Sequence, residues 1–354
     1  MFTLFLPFLN SSKKLLFFGF FLLSCFLGYG QDLSIENITE DEDVGTMVFT
    51  VTLNGDVPGG TSVNYSFIDV SAAGGVDYDN TIGPTLFFFG VDGETRTITV
   101  AITDDFIDED NEDFTVQLGI PSNGVSLSGG GDARGRILDN DIAGVNVSTT
   151  IGTTTEAGGQ ATFLFTLTSQ PTADVTIAID QYDVTETFGP ATIVLTPTSW
   201  NTGVPLIVTG VDDDFIDGDI VDNIRTGDVT SGDSFYDDLN GGDVVNLDVI
   251  NEDDDVAGVS ISAISGNTTE AGGTATFTVS LDSQPTFNVV IALSSSNPSE
   301  GTVPVSIIKT AANWNANTQV TITGVDDDIV DGDVIYTIIT GNVTSFDPNY
   351  NALG

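Results

Sequence analysis

The chain has 354 residues, enough for two or three domains, and its 52 Asp plus Glu against 7 Lys plus Arg leave a net charge of −45. A field of that sign repels nucleic acid and anionic membranes and attracts cations. There is no histidine, so the commonest acid–base catalyst and metal ligand is missing, while the apolar content is that of a folded protein rather than a disordered one.

Residues 1–30 have the form of an export signal. Lys13 and Lys14 supply the positive end, Leu15 to Leu27 the apolar core, and Gly28-Tyr29-Gly30 a small-x-small cleavage site before Gln31. The apolar run is ~13 residues, short of the ~20 a spanning helix needs. Cys25, the sole cysteine, lies inside it. Leu22-Leu23-Ser24-Cys25 loosely resembles a bacterial lipoprotein box, which would make Cys25 a lipid anchor, but Phe26 and Leu27 continue the apolar run past it and favour simple cleavage. The expectation is an exported chain, extracellular or on a bacterial cell surface. After cleavage no disulfide can staple the fold, and bound metal is one alternative.

The remainder is repetitive. Glu156-Ala-Gly-Gly-Gln-Ala-Thr-Phe recurs 114 residues later as Glu270-Ala-Gly-Gly-Thr-Ala-Thr-Phe. Ser169-Gln170-Pro171, Trp200-Asn201 and Gly210-Val-Asp-Asp-Asp recur at the same offset as Ser283-Gln284-Pro285, Trp314-Asn315 and Gly324-Val-Asp-Asp-Asp. Glu42 to Leu53 falls into the same register ahead of Glu156 to Leu167. Three repeats are expected: 31–142, 143–256 and 257–354, the last lacking a counterpart of Asp243 to Asp255 and so expected to leave an open sheet edge.

Each repeat alternates apolar and polar residues. Phe49, Val51 and Leu53 alternate with threonines, as do Phe163, Phe165 and Leu167. Such runs, separated by Gly, Asn, Asp and Pro, indicate half-buried antiparallel strands, and no stretch has a helical period. About seven short strands in ~110 residues predict an all-β chain of tandem seven-stranded antiparallel Greek-key, immunoglobulin-like sandwiches. Trp200 and Trp314, just before equivalent strands, are expected to pack on core or edge.

Acidic residues cluster at strand ends in three ways. An inter-strand loop carries Asp104, Asp105 and Asp108 in the first repeat, Asp212, Asp213, Asp214 and Asp217 in the second, and Asp326, Asp327, Asp328 and Asp331 in the third. The junctions carry Asp139 and Asp141, then Asp253, Asp254 and Asp255. A lone Glu precedes the second strand of each repeat: Glu42, Glu156 and Glu270. Adjacent carboxylates repel unless a cation lies between them, and recurrence at strand ends suggests convergence at one pole of each sandwich. Hard oxygen donors without His or Cys favour Ca²⁺ over zinc or copper, and Mg²⁺ rarely uses an all-protein cage. Carboxylate pairs could hydrolyse glycosides, but repeated copies argue against an enzyme, which has one site.

These residues resemble the Calx-beta repeat of sodium/calcium exchanger regulatory domains, integrin β4 and bacterial surface proteins. The marks are Glu42-x-x-Gly45-Thr46, Gly75-Val-Asp77-Tyr78, Asp104-Asp105-x-x-Asp108-Glu109 and Ile137-Leu-Asp139-Asn-Asp141-x-Ala-Gly144. The resemblance implies a seven-stranded sandwich with Ca²⁺ at one end. In the first repeat it implies ligands Glu42, Asp77, Asp104, Asp105, Asp108, Asp139 and Asp141, with Glu109 or Glu112 completing the loop. The second lacks the Gly-x-Asp-Tyr element, for which Asp183 is a rough substitute. Repeats two and three carry instead a Ser-x-Asp-x-x-Tyr pattern: Ser231, Asp233, Tyr236 and Ser345, Asp347, Tyr350. These two look like a bacterial subtype found in long extracellular arrays.

The expected function is a non-enzymatic, secreted or cell-surface calcium-binding module, a calcium-stiffened stalk or an adhesion and cell-communication segment. Its partners would be calcium ions, neighbouring repeats of a longer chain, and a protein or glycan adhesion partner, with no nucleic acid. Two other readings stay open: a metal-free acidic spacer in a large surface protein, and a carbohydrate-binding sandwich.

Overall fold

A computed structural model describes residues 30–330 and 332–354. The segment expected to be an export signal, as far as Tyr29 and with Cys25, and the candidate ligand Asp331 lie outside the described residues. Among the described residues no helix is long and apolar enough to cross a membrane. The described chain forms two compact units, one comprising residues up to 104 with 111–138, the other 105–110 with 139–354.

In the first unit the strand Thr46–Asn54 buries Met47, Phe49, Val51 and Leu53 on one face and turns its threonines outward. Period-two placement of apolar residues on a pleated strand requires this. One sheet orders Thr95–Ala101, Thr46–Asn54, Asp32–Ile35 and Ser126–Leu127; the other orders Ile38–Asp41, Asp132–Leu138, Glu112–Leu118 and Tyr65–Asp69. Phe114 lies at the centre of the core, stacked on Tyr78 at 4.1 Å and edge-on to Phe49 at 5.9 Å. Gly135 makes room for that ring, since a Cβ there would lie 2.4 Å from Phe114 Cζ.

The second unit holds two further sandwiches, each with its own core. In the first of these, the sheet Val145–Val147, Gln160–Leu167, Val204–Gly210 and Thr187–Phe188 packs against Ile151–Thr155, Leu247–Glu252, Ile220–Ser231, Val175–Gln181 and Thr192–Leu195. In the second, Val259–Ile261, Thr274–Leu281, Thr318–Gly324 and Gly301–Thr302 face a smaller sheet of Ser306–Lys309, Val289–Ser295 and Ile338–Thr344.

The all-β sandwich architecture is therefore as read from the sequence, with two corrections. The ladders are not all antiparallel: Ile38–Asp41 runs parallel to Asp132–Leu138, and Ile151–Thr155 parallel to Leu247–Glu252. The opening segment crosses from one sheet to the other, and there it lies beside a closing strand running the same way. The chain also has one-turn helices, Ser234–Asp237 and Pro348–Asn351. They are too short for a helical period and are set by caps: Asp233 accepts from Phe235 N and Asp347 from Asn349 N.

The recurring Ser-Gln-Pro and Ser-x-Asp-x-x-Tyr motifs meet in the fold. Tyr236 donates its hydroxyl to Ser169 O, and Tyr350 to Ser283 O, at 2.7 Å in both repeats. Asp233 Oδ2 accepts from Thr172 N and Asp347 Oδ2 from Thr286 N, at 2.8 Å each. The tryptophans pack, partly buried, on their cores, and Trp200 O and Trp314 O accept from Leu167 N and Leu281 N at 2.8 Å.

Candidate metal centre

The second repeat assembles a cluster of three carboxylates within one unit. The parallel pair Ile151–Thr155 and Leu247–Glu252 ends at one pole, where Glu156 N donates to Glu252 O at 3.1 Å. Gly158, at φ 83°, turns the chain there and donates its N–H to Thr155 O, a conformation glycine adopts without a Cβ penalty. Glu156 is thereby held buried, with 2% of its surface exposed. Asp213 follows the strand Val204–Gly210 and caps its own loop, accepting from Phe215 N at 2.7 Å. Asp255 follows the closing strand, its N–H donating to Asp253 Oδ1 at 2.8 Å. Carboxylate oxygens of Glu156, Asp213 and Asp255 all lie within 4.8 Å of one another.

Electrostatics make this pole unfavourable without a counter-charge. Burial, together with Asp253, Asp213 and Asp217 nearby, pushes the Glu156 carboxyl up to about 7, against the pull of a backbone hydrogen bond from Asp254. Burial and the neighbours Asp253, Asp214, Asp254 and Asp213 raise Asp255 to about 6. Burial, then Asp213 and Asp253, raise Asp217 as well. Glu156 Oε2 and Asp255 Oδ2 are buried without a hydrogen-bond partner. Among the described residues the ion pairs are those of Arg96, Arg134 and Arg136, all with acids of the first unit. Buried, unpaired and mutually repelling oxygens are what a hard divalent cation satisfies.

Of the other candidates in this repeat, Asp253 accepts from Gly218 N at 2.8 Å and so holds the 213–219 loop against the junction. Asp212, Asp214, Asp217 and Asp254 are exposed at the rim. Asp183 does not replace the Gly-x-Asp-Tyr aspartate: its Oδ1 caps the local turn, accepting from Thr185 N and Thr185 Oγ1. Glu186 takes that place. Its backbone carbonyl accepts from Val211 N at 2.8 Å, as that of Asp77 accepts from Thr103 N at 2.9 Å. Glu186 is buried and its carboxylate accepts from Asn251 Nδ2 at 3.4 Å; Asn251 in turn accepts from Thr154 Oγ1 at 2.9 Å. Burial, with Asp217 nearby, raises Glu186. A signal for Glu186 existed in the sequence, because the 114-residue offset maps it onto Glu300, whose carbonyl accepts from Val325 N at 2.9 Å.

In the first unit Glu42 is buried in the short 3-10 turn Glu42–Val44, which Gly45 closes at φ 74°. Asp77 Oδ2 accepts from Ala73 N at 2.6 Å, and carboxylate oxygens of Asp77 and Glu112 lie within 4.8 Å of each other. Asp104 is exposed at the start of its loop. In the second unit, oxygens of Asp105 and Asp141 also lie within 4.8 Å of each other. There Asp105 accepts from Ile107 N at 2.8 Å, Asp108 from Ala143 N at 2.6 Å and Asp139 from Glu109 N at 3.2 Å. Burial is the main cause that raises Asp108, with Asp139 adding to it.

The third repeat brings no such group together among the described residues. Glu270, Asp326 and Asp328 are exposed, and Asp327 accepts from Ile329 N at 2.7 Å. No closing strand brings acids opposite that loop among the described residues.

These features define an immunoglobulin-like sandwich with a carboxylate-lined pole whose oxygens could hold a cation. Residues 32–150 match the family model of the Calx-beta domain, and that segment is a domain of this family. It is similar to the solved apo-form Calx CBD1 domain, with 30% identity over 32% of this chain and 99% of that one at a TM-score of 0.29. It is also similar to the calcium binding domain CBD12 of CALX1.1, with 18% identity over 61% of this chain and 98% of that one at a TM-score of 0.33. A third similar structure is CBD12 from CALX1.2, with 19% identity over 56% of this chain and 80% of that one at a TM-score of 0.30. No curated protein matches the chain.

Proposed function

We propose that the chain is a non-enzymatic calcium-binding module whose ions stiffen a row of sandwiches. The observation that carries this is the pair of buried, unpartnered oxygens on Glu156 and Asp255, two residues whose carboxylates each place an oxygen within 4.8 Å of the other and of Asp213. A cation with six to eight oxygen ligands suits such a pole, with Asp217, Asp253 and Glu186 close behind. Stiffening follows from the loop that carries Asp213. The carbonyl of Asp214 accepts from Gln284 N of the third repeat at 2.7 Å, so ordering the loop orders the next sandwich.

The form of residues 1–30 supports export, and the acidic charge suits an extracellular medium in which calcium is abundant. The module then acts as a stalk or an adhesion segment at the cell surface. Extracellular modules bind calcium with Kd of ~10⁻⁴–10⁻³ M, and at ~100 times Kd one ion adds ~2.7 kcal/mol to stability. Thermal unfolding of the full chain in calcium and in chelator, at matched ionic strength with Na⁺, tests the reading. A rise in midpoint with calcium alone is expected; an equal response to Na⁺ would leave a charged spacer instead.

A further inference from the structure

We propose that the Ser-Gln-Pro corner and the tryptophan turn of one repeat form a socket that seats the acidic loop of the preceding repeat without metal, and that the residue after the loop's capping aspartate sets how firmly the loop is held. Both motifs recur at the 114-residue offset, and calcium binding accounts for neither.

The 105–110 loop belongs to the same compact unit as the second sandwich, whereas the strands on either side of it, Thr95–Ala101 and Glu112–Leu118, belong to the first unit. Two contacts tie it there. Gln170 N donates to Phe106 O at 2.5 Å, and the Phe106 ring lies against Trp200 with centroids 5.9 Å apart and planes tilted by 42°. Trp200 is anchored on the core of the second sandwich, and Gln170 Nε2 donates to Pro197 O at 3.3 Å, joining the corner to the tryptophan turn. The loop is shaped for this contact. Asp105 Oδ1 accepts from Ile107 N at 2.8 Å, an Asx-turn that leaves the carbonyl of Phe106, between them, to face outward.

The arrangement recurs one repeat later. Asp213 Oδ1 accepts from Phe215 N at 2.7 Å, and Asp214 O accepts from Gln284 N at 2.7 Å, with Asn349 Nδ2 donating to Ile216 O at 3.4 Å. The side chain differs: Asp214 stands where Phe106 does, and the Phe106–Trp200 contact has no counterpart at Trp314 among the described residues. An aromatic pair shifts an opening equilibrium by up to about tenfold, and Asp214 instead adds charge to a loop that already holds Asp212 and Asp213. The first repeat has no such socket. Gly55-Asp56-Val57 replaces Ser-Gln-Pro, and Glu94, whose carbonyl accepts from Leu53 N as that of Trp200 accepts from Leu167 N, replaces the tryptophan. The partner that fits the socket is therefore an Asx-turn with an aromatic residue directly after its aspartate, presented by the adjoining repeat.

Residue-resolved amide hydrogen exchange on the full chain in chelator tests this, because the N–H groups of Gln170 and Gln284 make the seating hydrogen bonds and share one local sequence, Ser-Gln-Pro. Gln170 is expected to exchange about tenfold more slowly than Gln284. Phe106→Asp should remove that difference, and Asp214→Phe should slow Gln284 by about tenfold, with exchange in the core strands Gln160–Leu167 and Thr274–Leu281 unchanged in both variants. Equal exchange of the two glutamines in the unaltered chain, no effect of either substitution, or protection of Gln170 that appears only once calcium is added would overturn the proposal. Acceleration by Phe106→Asp spread evenly over Gln160–Leu167 would overturn it too, because the sandwich rather than the socket would then be opening.

Discussion

Glu186 occupies in the second repeat the place that Asp77 occupies in the first. Each sits in the turn before a short strand or bridge, and each carbonyl accepts the first backbone N–H after the long strand, from Val211 at 2.8 Å and from Thr103 at 2.9 Å. The exchange of Asp for Glu moves the carboxylate by one methylene. Asn251, which donates to Glu186 and accepts from Thr154, holds the longer side chain in place. A supporting group of this kind typically matters tenfold or more to metal affinity. Glu186→Gln is therefore expected to weaken calcium binding by the second repeat about tenfold, while Asp183→Asn changes it little. Calorimetric titration of both variants checks this assignment.

Glu156 has opposite effects on stability with and without metal. Its buried carboxylate repels Asp213, Asp217 and Asp253 when no cation is bound. Glu156→Gln should thus raise the metal-free stability of the second repeat by about 1–2 kcal/mol and remove most of its stabilisation by calcium. Thermal unfolding in chelator and in calcium measures both changes, and a variant that loses stability in chelator would contradict the role given to this residue.

The pH dependence has a defined sign. Glu156 is raised from 4.5 to about 7 and Asp255 from 3.8 to about 6 in the fold. Between the ordinary and the raised values the folded state holds protons that the unfolded chain has released. Metal-free stability contributed by these groups is therefore present below about pH 4 and is lost as pH rises to about 7. Calcium competes for the same oxygens, so its added stability should grow over the same interval. Unfolding midpoints at pH 5 and pH 8, with calcium and with chelator, should show the two slopes, and Glu156→Gln should flatten both.

Tyr236 and Tyr350 make the same buried contact. Each hydroxyl donates to a serine carbonyl at 2.7 Å and accepts from that serine's N–H, at 3.2 Å from Ser169 and 3.1 Å from Ser283. Removing the hydroxyl leaves both backbone groups buried and unpaired. Tyr236→Phe and Tyr350→Phe should each cost about 1–3 kcal/mol, confined to the repeat that carries the change. Denaturant unfolding followed by Trp200 or Trp314 fluorescence can separate the two.

Much of the fold was legible because its signals are local. Period-two threonine and apolar runs, glycine-rich turns and a 114-residue offset define strands, sheet faces and repeats without any long-range information. The same offset carried the acids to matched strand ends. Parallel pairing of Ile151–Thr155 with Leu247–Glu252 was not legible, since a strand's sequence does not record which way its neighbour runs. The one-turn helices were hidden for a related reason: four residues held by an aspartate cap carry no period.

By itself the sequence determined that this chain is an all-β array with carboxylates at its strand ends, because side-chain alternation and residue type are properties of short segments. Tertiary structure alone decided which carboxylates share a pole. It brought carboxylate oxygens of Glu156, Asp213 and Asp255 within 4.8 Å of one another, set Glu186 rather than Asp183 behind them, and left Glu270, Asp326 and Asp328 of the third repeat exposed. Convergence of that kind depends on pairing across about 100 residues of chain, which raises the pKa of a carboxylate only once burial and neighbours are in place.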